Sequence, residues 1–442
     1  MSNLPNTQLR GQINRVWKLS VPAILTQITT IAMQYIDSAM VGNLGANASA
    51  AIGLVASSTW LMNGISTAIS TGFSVQVAQY IGAGQDHDAR RVVKHGLVAS
   101  MLAALVLLAL GACISFPLPK LLGSDPVLWH DATAYFLVFS LSMPFIVLNA
   151  LTSAFLQCSG NMVTPSILNA VMCVLDVIFN ALLIPRYGVL GASLGTALSV
   201  VVISVIMLWC CCIRSDALRI NRKESCALDI SILQRAFKIG APVGAEQIAM
   251  CGAMVASTRI IAPLGAVAIA ANSFAITAES LCYMPGYGIG NAATTLVGQS
   301  IGAKDYQTAK RFSVITVILG CGMMTLTGII MFIACPLVFQ MLTPVAQVQT
   351  VAAQILRIGL LAEPLYGVSI VASGALRGAE DTLIPSILNL LSIWGVRLGL
   401  ALLLVGPFGI HGMWVAMAAE LCVRGLLLLW RMCRSKYLKQ EK

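Results

Sequence analysis

The four residues Pro165-Ser166-Ile167-Leu168 return unchanged as Pro385-Ser386-Ile387-Leu388. The step from Pro165 to Pro385 is 220 residues, and three further pairs keep it. Ile81-Gly82-Ala83 matches Ile301-Gly302-Ala303, Leu44-Gly45-Ala46 matches Leu264-Gly265-Ala266, and Pro22 matches Pro242. Four matches in one register identify an internal duplication. Around them the chain is apolar over long distances. No Asp, Glu, Lys or Arg stands between Asp37 and Asp86, between Asp131 and Asp176, or between Arg311 and Arg357. Each of these stretches is long enough for more than one crossing of a bilayer, at about 20 residues each.

Gly, Pro and Asn clusters divide these stretches into twelve expected spans. They are 16–41, 49–76, 96–117, 131–156, 164–185, 189–213, 236–262, 266–292, 313–336, 349–374, 384–405 and 410–433. The composition agrees: 58% of the 442 residues are hydrophobic and 10% are charged, and the mean hydropathy is +0.85. So few charges cannot cover a soluble surface, where about a quarter of residues are charged. The same figures exclude disorder and nucleic-acid binding as a main activity. The first apolar run, from Val16 to Asp37, is long enough to span and to stay, so no cleaved leader is expected. The thirteen Cys form no CxxC pair and mostly sit in apolar runs. They read as packing residues, with neither a disulfide nor a metal site expected.

The net charge of +10 reports topology. With the N-terminus inside, 21 of the 27 Lys and Arg fall in inner segments, while the outer loops hold only Lys120 and Arg186. Lys and Arg accumulate on the cytoplasmic side, so both termini are expected there. Each half has an even number of spans, so both halves enter the membrane from the same side. The expected fold is an all-α polytopic membrane protein, with twelve transmembrane helices in two parallel six-helix repeats around a central cleft. The lobes are drawn at 1–213 and 236–442, joined by a cytoplasmic linker at 214–235. Such paired repeats are an architecture of alternating-access transporters.

An ionisable group inside a membrane costs about 2.5–3.5 kcal/mol on insertion scales, which makes it a candidate for function. On the first helix Gln27, Thr30, Gln34 and Asp37 are spaced 3, 4 and 3 apart and form one stripe. On the fifth, Asn169, Cys173, Asp176 and Asn180 are spaced 4, 3 and 4. Where two such stripes meet, burial and the mutual repulsion of Asp37 and Asp176 favour protonation of one acid, which can take a proton from one side and release it on the other. A structural alternative is that each acid only accepts hydrogen bonds from neighbouring amides. The matching positions of helix 7 carry Gln247, Met250, Met254 and Ser257. The acid is gone, and two Met offer adaptable contacts for varied apolar ligands or plain core packing. Glu246, Arg259, Glu279 and Arg397 are expected to form a charged network in the second lobe. Glu420 and Arg424, four apart, are expected to pair along one helix. Pro22 and Pro242 free backbone carbonyls in their helices and permit bending.

The segment Asp37-Ser38-Ala39-Met40-Val41-Gly42-Asn43-Leu44-Gly45 resembles the first-helix signature of the multidrug and toxic compound extrusion (MATE) family. Glu279 with Pro285-Gly286 and Leu296-Val297-Gly298-Gln299 resembles its helix-8 motif. Ser373-Gly374-Ala375-Leu376-Arg377-Gly378 with Asp381-Thr382 resembles that of helices 10 and 11. The resemblance implies cation-coupled export of amphipathic, mostly cationic compounds by alternating access. It also implies a bacterial inner (plasma) membrane location, a monomer, small-molecule substrates and no cofactor beyond transported H+ or Na+. The NorM branch carries acids on helices 7 and 10 where this chain has Met250 and Tyr366. Asp37 and Asp176 match the acids of the DinF-like branch; Met172 departs from an Asn common there. The expected function is a proton-driven exporter of the DinF-like type. The alternatives are a sodium-coupled multidrug exporter and a lipid-precursor flippase of the same superfamily. A flippase would favour several cavity Arg for pyrophosphate, whereas these stripes are acidic and amide. The chain shows no HExxH motif and no P-loop, and no enzyme is expected.

Overall fold

The computed structural model describes residues 6–220 and 229–435, and every described segment of regular structure is helical. In chain order the long helices are α1 Asn6–Gly42, α2 Ala46–Gly82, α3 Asp86–Ser115, and α4, a bent pair Trp129–Leu141 and Met143–Cys158. They continue with α5 Val163–Tyr187, α6 Val189–Trp209, α7 Ile230–Ile261, α8 Ala266–Gly302 and α9 Tyr306–Leu342. The next, α10, is a second bent pair, Ala346–Leu360 and Glu363–Gly378. The continuous stretch Leu383–Arg434 is 52 residues long. It breaks at Gly409, whose φ of 56° and ψ of −136° are non-helical, which divides it into α11 and α12. Among the described residues nine helices are long and apolar enough to cross a membrane singly, and the two bent pairs raise the number to 11. The break at Gly409 makes twelve.

Several helices outrun the expected spans. The 37 residues of α2 measure about 55 Å at 1.5 Å per residue, against about 30 Å of hydrocarbon. Large apolar side chains lie on outer surfaces, such as Leu102, Ile333 and Leu402, which are 61%, 74% and 71% exposed. In water this surface would drive aggregation; in lipid it needs no cover.

The duplication is visible residue by residue, with one change of register. Gly188, between α5 and α6, has φ 58° and ψ −130°. Its conformational twin is Gly409, 221 positions on. The extra residue lies in a π-turn, Ser392–Arg397, inside α11. Beyond it the step is 221, and Asp176 corresponds to Arg397 and Ser199 to Glu420.

Two compact units emerge, and neither coincides with an expected lobe. One runs from Ile28 to Gln247; the other joins the residues up to Gln27 to those from Ile248 onward. The boundaries fall inside α1 and α7, away from the expected linker, of which residues 221–228 lie outside the described residues. The reason is an exchange of half-helices. Arg15 on the first half of α1 donates to Gln299 Oε1 on α8 at 3.1 Å. Arg235 on the first half of α7 donates to Gln79 Oε1 on α2 at 2.6 Å. The two bonds are one contact, repeated 220 residues apart. Pro22 and Pro242 lie inside α1 and α7, and neither ends its helix.

Candidate functional site

The stripe on α1 lies along an unbroken helix. Thr30, Gln34 and Asp37 belong to the unit 28–247, and Gln27 ends the other. Thr30 and Asp37 are half-buried and Gln34 is exposed. On α5 the polar face is closed: Asn169, Asp176 and Asn180 are all buried, the last two completely. Asn180 follows Asp176 by one helical turn, and its amide nitrogen donates to both acids. The bonds are 2.8 Å to Asp37 Oδ1 and 3.1 Å to Asp176 Oδ2. The two carboxyl oxygens therefore stand no further apart than the sum of these lengths. Two stripes of correct helical spacing have met, and one amide joins them.

Two neighbours complete the site. Ser199 on α6 donates to Asp176 Oδ1 at 3.4 Å. Tyr135 on α4 packs with Met40 and Ile184 and, with Ser142, Ser193 and Thr196, lines a cavity of about 40 Å³. At roughly 10–15 Å³ per water that is room for a short chain of hydrogen-bonded solvent. Neither residue was legible as functional, because α4 and α6 carry no polar stripe ending in an acid. Gly195 on α6 lies so close to Asn180 Oδ1 that a Cβ there would collide with it. Asn180 Oδ1 itself is buried without a hydrogen-bond partner among the described residues. No described basic side chain forms an ion pair with Asp37 or Asp176. Two acids without a counter-charge in low dielectric are stabilised by taking up a proton or a small cation.

The second repeat answers the same positions with compensated charge. Arg397 donates to Glu420 Oε2 at 2.7 Å, and Arg424 lies 3.0 Å from Glu420 Oε1. Glu420 is fully buried. The helical pair Glu420–Arg424 is thus part of a triad that α11 completes. Of the expected network of Glu246, Arg259, Glu279 and Arg397, the charges of Arg397 and its neighbour Arg424 reach Glu279, while the closest partner of Arg397 is Glu420. Glu246 is buried and Arg259 is exposed. Glu279 is buried, with Oε1 unpartnered among the described residues, and Glu363 at the start of the second α10 segment is buried with both oxygens in that state. Met250 is half-buried and Met254 is 51% exposed, both in the unit that contains α8. Tyr366 stacks edge-on with Tyr283 at 5.6 Å, and Arg424 covers its ring.

The sequence profile of the MatE family matches residues 22–182 and again 242–403, two matches that begin one repeat apart. The chain is 28% identical to the multidrug resistance protein NorM of Burkholderia vietnamiensis, over 94% of this chain and 92% of that one. It is 26% identical to the probable multidrug resistance protein NorM of Thermotoga maritima, over 99% and 96%. Its fold superposes on a MOP superfamily transporter from Pyrococcus furiosus with a TM-score of 0.92 at 20% identity, covering 100% of both chains. A mutant of the Vibrio cholerae MATE transporter VcmN gives 0.92 at 18% identity, covering 98% of this chain and 100% of that one. The family profile accounts for well over half the chain and falls on both repeats, so the chain belongs to the MatE family of membrane transporters.

Proposed function

We propose that the protein exports amphipathic, mostly cationic organic compounds across a bacterial inner membrane, acting as a monomer driven by the proton gradient. Both termini are placed in the cytoplasm. Asp37 and Asp176 are the coupling acids. The observation that carries this reading is the amide of Asn180, which holds two carboxyls together with no described basic side chain paired to either. A proton satisfies one acid and leaves a single negative charge; an organic cation satisfies the same charge from outside. The two ligands compete, and binding one releases the other. Names of relatives that denote multidrug resistance support the substrate class. Met250 and Tyr366, standing where the sodium-coupled branch has acids, favour the proton and the DinF-like branch.

Thr30, Gln34 and Asn169 are the substrate-facing residues proposed beside the acids. Gln27, Met250 and Met254 are those proposed in the other unit, each to be tested by its own substitution. Purified protein in proteoliposomes, given a pH gradient or a sodium gradient separately, decides the coupling ion. Efflux of a fluorescent cation is expected with the pH gradient alone. Efflux that requires sodium would assign sodium to Asp37, Asp176 and Asn180.

A further inference from the structure

The end of α6 opens a groove that the acid site does not use. It has a volume of about 500 Å³, with Ile167, Leu168 and Ile206 on its apolar side and Asn161, Trp209 and Arg214 on its polar side. Ile167 and Trp209 are 58% and 49% exposed. Asn161 is already satisfied by α5: its Oδ1 accepts from Thr164 N at 3.1 Å and its Nδ2 donates to Thr164 Oγ1 at 2.9 Å. Arg214 is exposed, and no described residue gives it a hydrogen bond or an ion pair. No described acidic residue lines the groove.

The second repeat builds the same corner and closes it. Asp381 is the counterpart of Asn161, and it takes Arg431 at 2.8 Å. Trp430 in the last turn of α12 is the counterpart of Trp209, and Arg434, four residues on and the last residue of α12, stacks over its ring at 4.8 Å. Arg214 follows Trp209 by five residues because the chain there is a π-turn, Cys210–Arg214. The additional residue turns the guanidinium off the indole face, and π-turns of this kind recur at functional sites. One repeat therefore pairs its end-of-helix cations internally, and the other leaves a cation at the mouth of an apolar groove.

We propose that this groove binds an anionic phospholipid. Arg214 takes the headgroup phosphate, the Trp209 indole sits at the headgroup level, and Ile167, Leu168 and Ile206 pack the upper acyl chain. Basic pockets at cytoplasmic helix ends attract such headgroups, and aromatic side chains favour that depth. Placing the lipid in the inner leaflet rests on the proposed topology; binding itself does not.

Native mass spectrometry of detergent-solubilised protein with added phosphatidylglycerol or phosphatidylcholine tests the site. One phosphatidylglycerol is expected to be retained in preference to phosphatidylcholine. Arg214→Gln is expected to weaken that retention about five-fold, the effect of about 1 kcal/mol for one basic side chain. Asn161→Asp, which installs the acid of the second repeat, is expected to do the same, and Arg434→Gln to change nothing. Glycerol 3-phosphate alone is expected not to displace the lipid. Unaltered retention in both Arg214→Gln and Asn161→Asp, or an equal loss in Arg434→Gln, overturns the proposal. Displacement by glycerol 3-phosphate at lipid-like concentrations assigns the groove to a soluble phosphate and overturns the lipid.

Discussion

Asp176 and Arg397 hold the same place in the two repeats and carry opposite charge. Each is met by the same residue of the following helix, Ser199 for Asp176 and Glu420 for Arg397. The difference lies in what finishes the site. In the second repeat Glu420 is buried between two guanidinium groups, and the charge is held by ion pairs in fixed geometry. In the first, Asp176 faces a second acid through Asn180, and no described basic side chain pairs with them. A duplicated scaffold thus offers one membrane-buried position twice. Compensated charge makes it a fastening; uncompensated charge is what the proposed coupling requires.

The largest expected effect separates these two roles. Asp37→Asn keeps the size and a hydrogen-bonding group, but it cannot exchange a proton. Gradient-driven efflux from proteoliposomes is expected to fall to background, while yield and thermal unfolding stay at wild-type values. Full transport by a folded Asp37→Asn protein would remove the first repeat from coupling and dissolve the contrast.

Glu420→Gln tests the other side. It leaves Arg397 and Arg424 partly buried against a neutral amide, and breaking a buried pair of this kind costs about 3–5 kcal/mol. Lower yield and an early thermal transition are expected. Replacing Arg397, Glu420 and Arg424 together by Met or Leu is expected to restore stability, because no buried charge is then stranded. Protein that survives either change is expected to retain pH-gradient dependence. Loss of that dependence in the stable triple variant would make the triad part of the coupling machinery.

Much of this was legible before any coordinates. Although α1, α3 and α8 run about ten residues past the expected ends, the 220-residue step, the order of the spans, and the two stripes that meet at Asp37 and Asp176 all follow from spacing. The inverted pair did not. At a constant step Asp176 falls opposite Val396, and only the π-turn at Ser392–Arg397 brings Arg397 into its place. A π-turn adds one residue without a sequence mark as plain as Gly or Pro. The half-helix exchange was hidden for another reason. Arg15 and Arg235 read as cytoplasmic charge, and only their bonds to Gln299 and Gln79 show which repeat each half-helix serves. Ser199 was missed because the hydroxyls of Ser193, Thr196 and Ser199 on α6 are each satisfied by a carbonyl of their own helix and mark no charge, and Tyr135 because one Tyr among apolar residues carries no periodicity.

Gly195 sharpens the comparison at the level of one methyl group. Its counterpart is Ala416 and that of Asn180 is Ala401, both wholly buried in one apolar cluster. Gly195→Ala would place a Cβ on Asn180 Oδ1 and is expected to push the amide off the two acids. Transport is expected to fall about ten-fold with a stability loss of about 1–3 kcal/mol from overpacking. The double change Asn180→Ala with Gly195→Ala copies the second repeat. It is expected to recover the packing and not the transport. Recovery of both would show that the bridge between the acids is dispensable.

The smallest effect concerns a turn that the repeats solve differently. Gly84 takes φ 69° ahead of α3, and its counterpart ahead of α9 is Lys304 at φ 58°. A side chain in that left-handed region costs about 1 kcal/mol, which glycine avoids. The next residue offsets the cost. Asp305 caps α9 by accepting from Thr308 N at 2.9 Å, whereas Gln85 makes no side-chain cap on α3. Such a cap contributes about 1 kcal/mol. Lys304→Gly is therefore expected to slow amide exchange in the first turn of α9 about five-fold, and Asp305→Ala to speed it by a similar factor. Gln85→Ala is expected to leave α3 unchanged. Hydrogen bonds from Thr308 hold the Asp305 carboxyl below its usual range. The cap is thus fully present above the unfolded pKa, about 3.9, and is lost as the pH falls through the lower folded value. The difference between wild type and Asp305→Ala is expected to persist at neutral pH and to vanish in acid. A difference that survives below that range would mean that the cap works without its charge, and the trade between Lys304 and Asp305 would have to be read from the backbone alone.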